Sequence, residues 1–200
     1  MMLPTHAIVG LALATPLAFV APEFATAALT GGLLGGILPD LDLYAGHRRT
    51  LHYPTVYPLL ALAAVVLAVV VSTPTTVALA FFLIGAAAHC RMDRFGGGLE
   101  LRPWEGTSDR AVYDHVRGRW RRPKRVIRYD GAPEDFALAS LLGIPLMVVL
   151  PSPFRWIVLA LLAIGGVYAL LRRRLATLAP IVFGYVPERI RQYVPERYRR

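Results

Sequence analysis

From Thr55 to Val71 the chain reads TVYPLLALAAVVLAVVV, without one charged side chain. From Thr75 to Cys90 it reads TTVALAFFLIGAAAHC, again uncharged and with one histidine near its end. Such runs approach the ~20 apolar residues needed to cross ~30 Å of hydrocarbon. Residues 136–150 and 156–171 repeat the pattern, and residues 7–21 and 24–38 are shorter versions rich in glycine and alanine. A chain of 200 residues that is 56% hydrophobic cannot bury so many blocks in one soluble core. The pattern predicts an all-α fold: a polytopic membrane helix bundle of about six transmembrane helices. Residues 1–28 admit a rival reading as a secretory signal ending near Ala25-Thr26-Ala27. No Lys or Arg precedes Arg48, so the basic leader of such a signal is missing, and an uncleaved helix is expected. The single Cys90 excludes an intramolecular disulfide.

The net charge of +9 would suggest nucleic acid in a soluble protein, but topology accounts for it better. Six alternating helices put the N-terminus, residues 39–54, residues 91–134 and residues 172–200 on one side. Of the 22 Lys and Arg residues, only Arg155 then falls on the other side. The cytoplasmic bias of basic residues makes the first side cytoplasmic. The expectation is a multi-pass protein of the inner (cytoplasmic) membrane with both termini cytoplasmic and no specific nucleic-acid partner.

Four units follow. Residues 1–95 form a four-helix membrane unit. Residues 96–134 form a long, Arg-rich cytoplasmic loop without its own apolar periodicity, expected to lie against the anionic lipid headgroups of the bilayer. Residues 135–172 form a transmembrane helix pair and residues 173–200 a basic cytoplasmic tail. In that tail Tyr185-Val186-Pro187-Glu188-Arg189 recurs as Tyr193-Val194-Pro195-Glu196-Arg197, which reads as an interfacial anchor. On the second helix Gly31, Gly32, Gly35 and Gly36 make two overlapping small-xxx-small spacings, which permit close helix approach with or without a metal nearby.

The ionisable groups of residues 1–95 gather at cytoplasmic helix ends. His6 opens the first helix, and Asp40 and Asp42 follow Pro39 at the end of the second. Acids there oppose the helix macrodipole and call for compensation. His47 and His52, five residues apart, do not share a helix face but can converge in a loop. His89 and Asp93, at i and i+4, face the same way one turn apart and suit a shared metal. Imidazoles and carboxylates are costly beside lipid and are good ligands for a divalent cation. The expected ligands are His6, Asp40, Asp42, His52, His89 and Asp93, with His47 as a possible addition.

These residues resemble the YdjM-like family. The resemblance rests on Thr5-His6 with Gly10, the turn Leu38-Pro39-Asp40-Leu41-Asp42, His47-Arg48 with His52, and His89-xxx-Asp93 followed by glycine and Pro103-Trp104. It covers about residues 1–105, and one departure is Tyr53, where the family usually carries serine. Members are described as membrane-bound, metal-dependent hydrolases, also labelled LexA-binding, inner-membrane-associated hydrolases. The resemblance implies a metal site of that kind here.

The expected activity is metal-dependent hydrolysis at the cytoplasmic membrane face, acting on a phosphoester or lipid-like substrate. Mixed His and Asp ligands suit one or two ions of zinc, manganese or iron. Asp42 or Asp93 could take the proton, and Arg48, Arg49 and Arg91 could hold a substrate phosphate. The alternatives are a non-catalytic membrane interaction protein, or a metal or proton transporter. The transporter is disfavoured because the helix centres lack ionisable groups. Haem ligation by His6, His52 or His89 fits the neighbouring acids less well.

Overall fold

The computed structural model of the chain describes residues 1–194 and 198. It is mostly helical (68%), with one two-stranded sheet. Helix α1 (Leu3–Ala14) is followed after Pro16 by a single turn, α2 (Leu17–Val20), and a 3-10 turn at Pro22–Phe24. Helix α3 (Ala25–Ile37) does not stop at Pro39 but tightens into a 3-10 helix over Leu38–Tyr44. Proline at an early position of that helix is tolerated because its missing N–H is not needed there. Helices α4 (Val56–Val70) and α5 (Pro74–Phe95) come next, α5 opening on a capping box between Thr73 and Thr76. After residues 96–132 come α6 (Pro133–Val149), α7 (Phe154–Gly184) and a short α8 (Glu188–Arg191).

Four stretches are long and apolar enough to span a membrane: Leu3–Val20, Pro22–Tyr44, Pro74–Phe95 and Phe154–Gly184. Two shorter helices, α4 and α6, fall where the sequence suggests the third and fifth spans. However, α4 has 15 residues and α6 has 17, roughly 23 and 26 Å at 1.5 Å per residue. The outer surface carries what lipid would meet. On α4 the buried positions are Tyr57, Ala61 and Ala64, while Leu59, Leu62, Val66, Val69 and Val70 point outward. Small residues inward and bulky ones outward reverse the soluble pattern and support membrane association.

The helices pack in two ways. In the first half α3 lies between α1 and α5 with backbone against backbone. Gly32 meets the backbone of Gly10, Gly36 that of His6, Gly31 that of Ala78 and Gly35 that of Phe82. The two overlapping glycine spacings thus face two different partners. Ile8, Leu11, Leu29 and Val77 fill the core beside this seam, and Leu146, Phe154 and Val158 close it from α6 and α7.

Two expectations need correcting. The stretch 96–134 is not a loop without regular structure. It carries an antiparallel hairpin, β1 (Val112–Asp114) paired with β2 (Arg119–Arg121), and it caps the first half. Three-residue strands leave no usable alternation in the sequence. Some of its basic residues are engaged within the protein: Arg121 pairs with Asp114, and Arg125 donates to the carbonyls of Gly106 and Ser108. The second correction is the boundary at residue 172, which falls inside α7. Leu, Ala and Val continue the helix past the arginines and through Pro180. The repeated Pro195-Glu196-Arg197 lies outside the described residues.

Candidate metal centre

Three backbones deliver the cluster. Helix α5 presents His89 and Asp93 from one face, α3 ends by handing Asp40 to the 3-10 turn, and the 45–55 loop brings in His52. One ligand atom from each of Asp40, His52, His89 and Asp93 lies within 4.8 Å of every other, and that group could hold a metal ion. Side chains of His52, His89 and Asp93 are fully buried, and Asp40 is partly open.

The tautomers of the two histidines follow from their partners. His89 Nδ1 stands 2.7 Å from the Gly36 carbonyl oxygen, which can only accept, so Nδ1 carries the proton. Its Nε2 is then the ring atom left for a metal; it is buried and has no hydrogen-bond partner. It lies 3.4 Å from both Asp40 Oδ1 and Asp93 Oδ2, aimed between them. His52 Nδ1 donates to Asp42 Oδ2 at 2.9 Å, turning its Nε2 to Asp93 Oδ2 at 3.1 Å and towards Asp40 Oδ1 at 3.8 Å. Burial alone would lower the His52 pKa, but the two carboxylates outweigh it and hold it above the ordinary histidine value. A proton on Nε2 and a metal ion compete for one lone pair. Two imidazole nitrogens and two carboxylates facing a common point make a donor set that fits a divalent transition metal.

Asp42 stands behind this group. Its Oδ1 accepts from His47 Nδ1 and the Arg48 amide, its Oδ2 from the Arg49 and Leu51 amides and from His52. With its lone pairs occupied it orients His52, as a carboxylate behind a ligating histidine does. His47 touches Asp42 and lies 3.9 Å from Asp40, on the outer side. His6 stacks on His89, ring centroids 3.7 Å apart, and its Nε2 meets Asp93 Oδ1 at 3.2 Å.

Asp93 therefore has two sides. Its Oδ2 faces the histidines, while its Oδ1 also receives the Met1 amino group at 3.0 Å and Arg48 Nη2 at 3.4 Å. Arg48 is buried, and its guanidinium donates to the Gly97 carbonyl. Burial would lower its pKa, but Asp93 and more distant carboxylates push it above the usual value. Its backbone adopts φ 60, the left-handed region a side chain rarely occupies, and its carbonyl accepts from Tyr113 of the hairpin. Arg49 and Arg91 are elsewhere. Arg49 lies over the Tyr113 ring and Arg91 over Phe95, both exposed.

Of the expected residues the structure joins Asp40, His52, His89 and Asp93 as one donor group, with His6, Asp42 and Arg48 in contact with it. Two participants escaped the sequence reading, the Gly36 carbonyl and the Met1 amino group. Backbone groups leave no residue-type signal, and only the glycine spacing hinted at Gly36. The fold and cluster define a helical, membrane-associating protein with a buried His/Asp group able to bind metal. No family model, curated protein or solved structure matches the chain.

Proposed function

We propose that this protein is a membrane-bound, metal-dependent hydrolase of the YdjM-like kind, with one divalent ion held by Asp40, His52, His89 and Asp93. The observation that carries the reading is that both Nδ1 atoms are committed, to the Gly36 carbonyl and to Asp42, which turns both Nε2 atoms towards two carboxylates, where a metal that displaces any proton meets two nitrogens and two oxygens. A single ion is favoured because Asp93 Oδ1 is already surrounded by Met1, His6 and Arg48. Zinc, manganese or iron held there supplies a Lewis acid that polarises a phosphoryl or acyl oxygen and acidifies water. A six-span topology with the cluster at the cytoplasmic face and both termini inside is supported by the distribution of basic residues.

The protein's own groups divide the remaining work. Asp42 fixes the His52 ring and, saturated by its donors, is not free to take a proton. Asp40 is the member open to solvent, so substrate approaches on its side and its carboxylate passes the proton outward. Arg48 stabilises negative charge at Asp93 rather than reaching out for a phosphate.

Purified protein is expected to carry near-stoichiometric transition metal by elemental analysis, and His89→Ala or Asp93→Ala to lose nearly all of it. A screen of phosphoesters and carboxyl esters with added manganese or zinc should find an activity absent from both variants. Full metal content in the two variants would refute the site, and bound metal without any hydrolysis would favour the interaction-protein reading.

A further inference from the structure

One face of α7 repeats as a coiled-coil seam does. Ile164, Tyr168, Leu171, Leu175, Leu178, Val182 and Tyr185 follow one another in alternating steps of four and three, the d and a positions of successive heptads. Tyr168 is tied to Asp130 within the protein and lines both grooves beside the stripe. The other six are 38–84% exposed. At about 200 Å² for a fully exposed large residue, these six leave roughly 700 Å² open. Two such surfaces come to about 1,400 Å², within the range of stable interfaces.

Lipid does not account for the whole stripe. The 31 residues of α7 extend about 46 Å, against ~30 Å of hydrocarbon. Counted from Phe154, the helix leaves the hydrocarbon near Arg172, Arg173 and Arg174. The stripe nevertheless runs on through Leu175, Leu178 and Val182 to Tyr185, in a segment without any charge. Its end stands about 15 Å beyond the arginines, past a headgroup layer of about 5–7 Å. An apolar face held in water marks an interaction surface.

We propose that this stripe is a homodimer seam, covered by α7 of a second copy of this chain. Two copies in one membrane share an orientation, so a two-fold axis along the membrane normal sets their stripes parallel and at one depth. Position a then meets a and d meets d, and the grooves of about 400 and 440 Å³ beside the ridge take the opposing side chains. Charge agrees with this partner. Arg173 and Arg174 fall at f and g, off the seam, and g faces e of the next heptad, which is Ala179. Arg172, at e, turns inward to Asp130. Pro180, at f, also lies away from the contact. The seam carries none of the four metal donors and does not rest on the hydrolase reading.

Disulfide trapping tests it on the full chain in the membranes of the expressing cells, with the buried Cys90 left in place. Val182→Cys, at a, should join two copies under mild oxidation and give a band of twice the chain mass. Thr177→Cys, exposed at c, should cross-link at least about tenfold more slowly, because only seam positions bring β-carbons near the ~4 Å a disulfide needs. Purified wild type in detergent should have the mass of two chains. Leu178→Arg should weaken the pair about a hundredfold or more, since two leucines leave the seam together. Leu178 is 52% exposed in the single chain, so this variant should keep its helix content. Leu178→Ala should give a smaller loss and serves if the arginine variant does not fold, while Thr177→Arg should remain a dimer. Equal cross-linking at 177 and 182 leaves the stripe to lipid or to the chain's own tail and overturns the proposal. So does a wild type with the mass of one chain, or trapping at 182 of a band other than twice the chain mass, which assigns the stripe to a different protein.

Discussion

The α1–α3–α5 trio and the α6–α7 pair solve the same packing problem with different parts. In the trio, helices meet backbone to backbone through Gly10, Gly31, Gly32, Gly35, Gly36 and Gly85. In the pair, glycines meet side chains: Gly143 faces the Leu162 methyls and Gly166 the Phe136 ring. Backbone contact leaves no flexible atom to absorb error, so it fixes helix positions to a fraction of an ångström. Three of the four donors and the Gly36 acceptor hang from that rigid seam. The pair carries none of the four metal donors, and its close contacts are made by side chains that can adjust. The rigid trio sets the geometry of the donors; the pair can adjust without moving them.

Gly36→Ala should have the largest effect on this contrast. Its Cβ would stand 2.5 Å from the His6 carbonyl oxygen and 3.0 Å from the carbonyl carbon, both backbone. Overpacking costs about 1–3 kcal/mol, and with no side chain able to yield the upper end is expected. The shift would also move the acceptor of His89 Nδ1, so metal content should fall together with thermal stability. A variant as stable and metal-rich as wild type would show that the seam is not rigid.

Asp42→Asn probes the next layer out. The amide keeps one accepting oxygen but turns its NH2 on the N–H groups at the other position, so the loop around it should also lose stability. It carries no charge to set the His52 tautomer, and loss of such a partner typically lowers metal affinity about 10–100-fold. Competition with a chelator measures this. An unchanged affinity would mean that His52 is oriented by its neighbours alone.

The parts of this arrangement that sequence exposed are those set by local periodicity. His89 and Asp93 share a face because an α-helix repeats every 3.6 residues, whatever surrounds it. Asp40 could be placed at a helix end from Pro39. The division of labour between Asp40 and Asp42 could not be read, because it depends on how the 45–55 loop folds back. That loop is held by Arg48 at φ 60 and by Tyr113 from a hairpin more than sixty residues away. Arg49 and Arg91 looked like substrate ligands by adjacency, yet adjacency in sequence placed both over aromatic rings. The hairpin was invisible because its stability comes from Asp114, not from strand patterning.

Asp114 makes the cap pH-sensitive. Burial alone would raise its pKa, but Arg121, Thr55 and the Arg117 amide hold it below the usual carboxylate range. Folding thus favours the charged form. The stability it contributes is complete above the unfolded value of about 3.9 and is lost as pH falls through the lower folded value. Hydrogen exchange of residues 111–121 should accelerate below about pH 4, and Asp114→Asn should abolish that pH dependence. Carboxylates elsewhere titrate in the same range, so dependence that survives the substitution would assign the effect to them.

The smallest effect is expected at Gly143, the counterpart of Gly36 in the pair. An added Cβ would lie 3.1–3.3 Å from three side-chain carbons of Leu162. Those carbons can rotate away by a few tenths of an ångström, unlike a carbonyl. Alanine also gains about 1 kcal/mol over glycine in helix propensity, which offsets a mild overpacking cost. Gly143→Ala should therefore leave stability within about 0.5 kcal/mol of wild type and metal content untouched. Thermal unfolding of Gly36→Ala and Gly143→Ala in one detergent compares the two directly. The same methyl group is added to a helix in each case, so the difference between them isolates what lies opposite. Equal destabilisation would erase the distinction between a backbone seam and a side-chain seam, and with it the reason for placing the donors on the first.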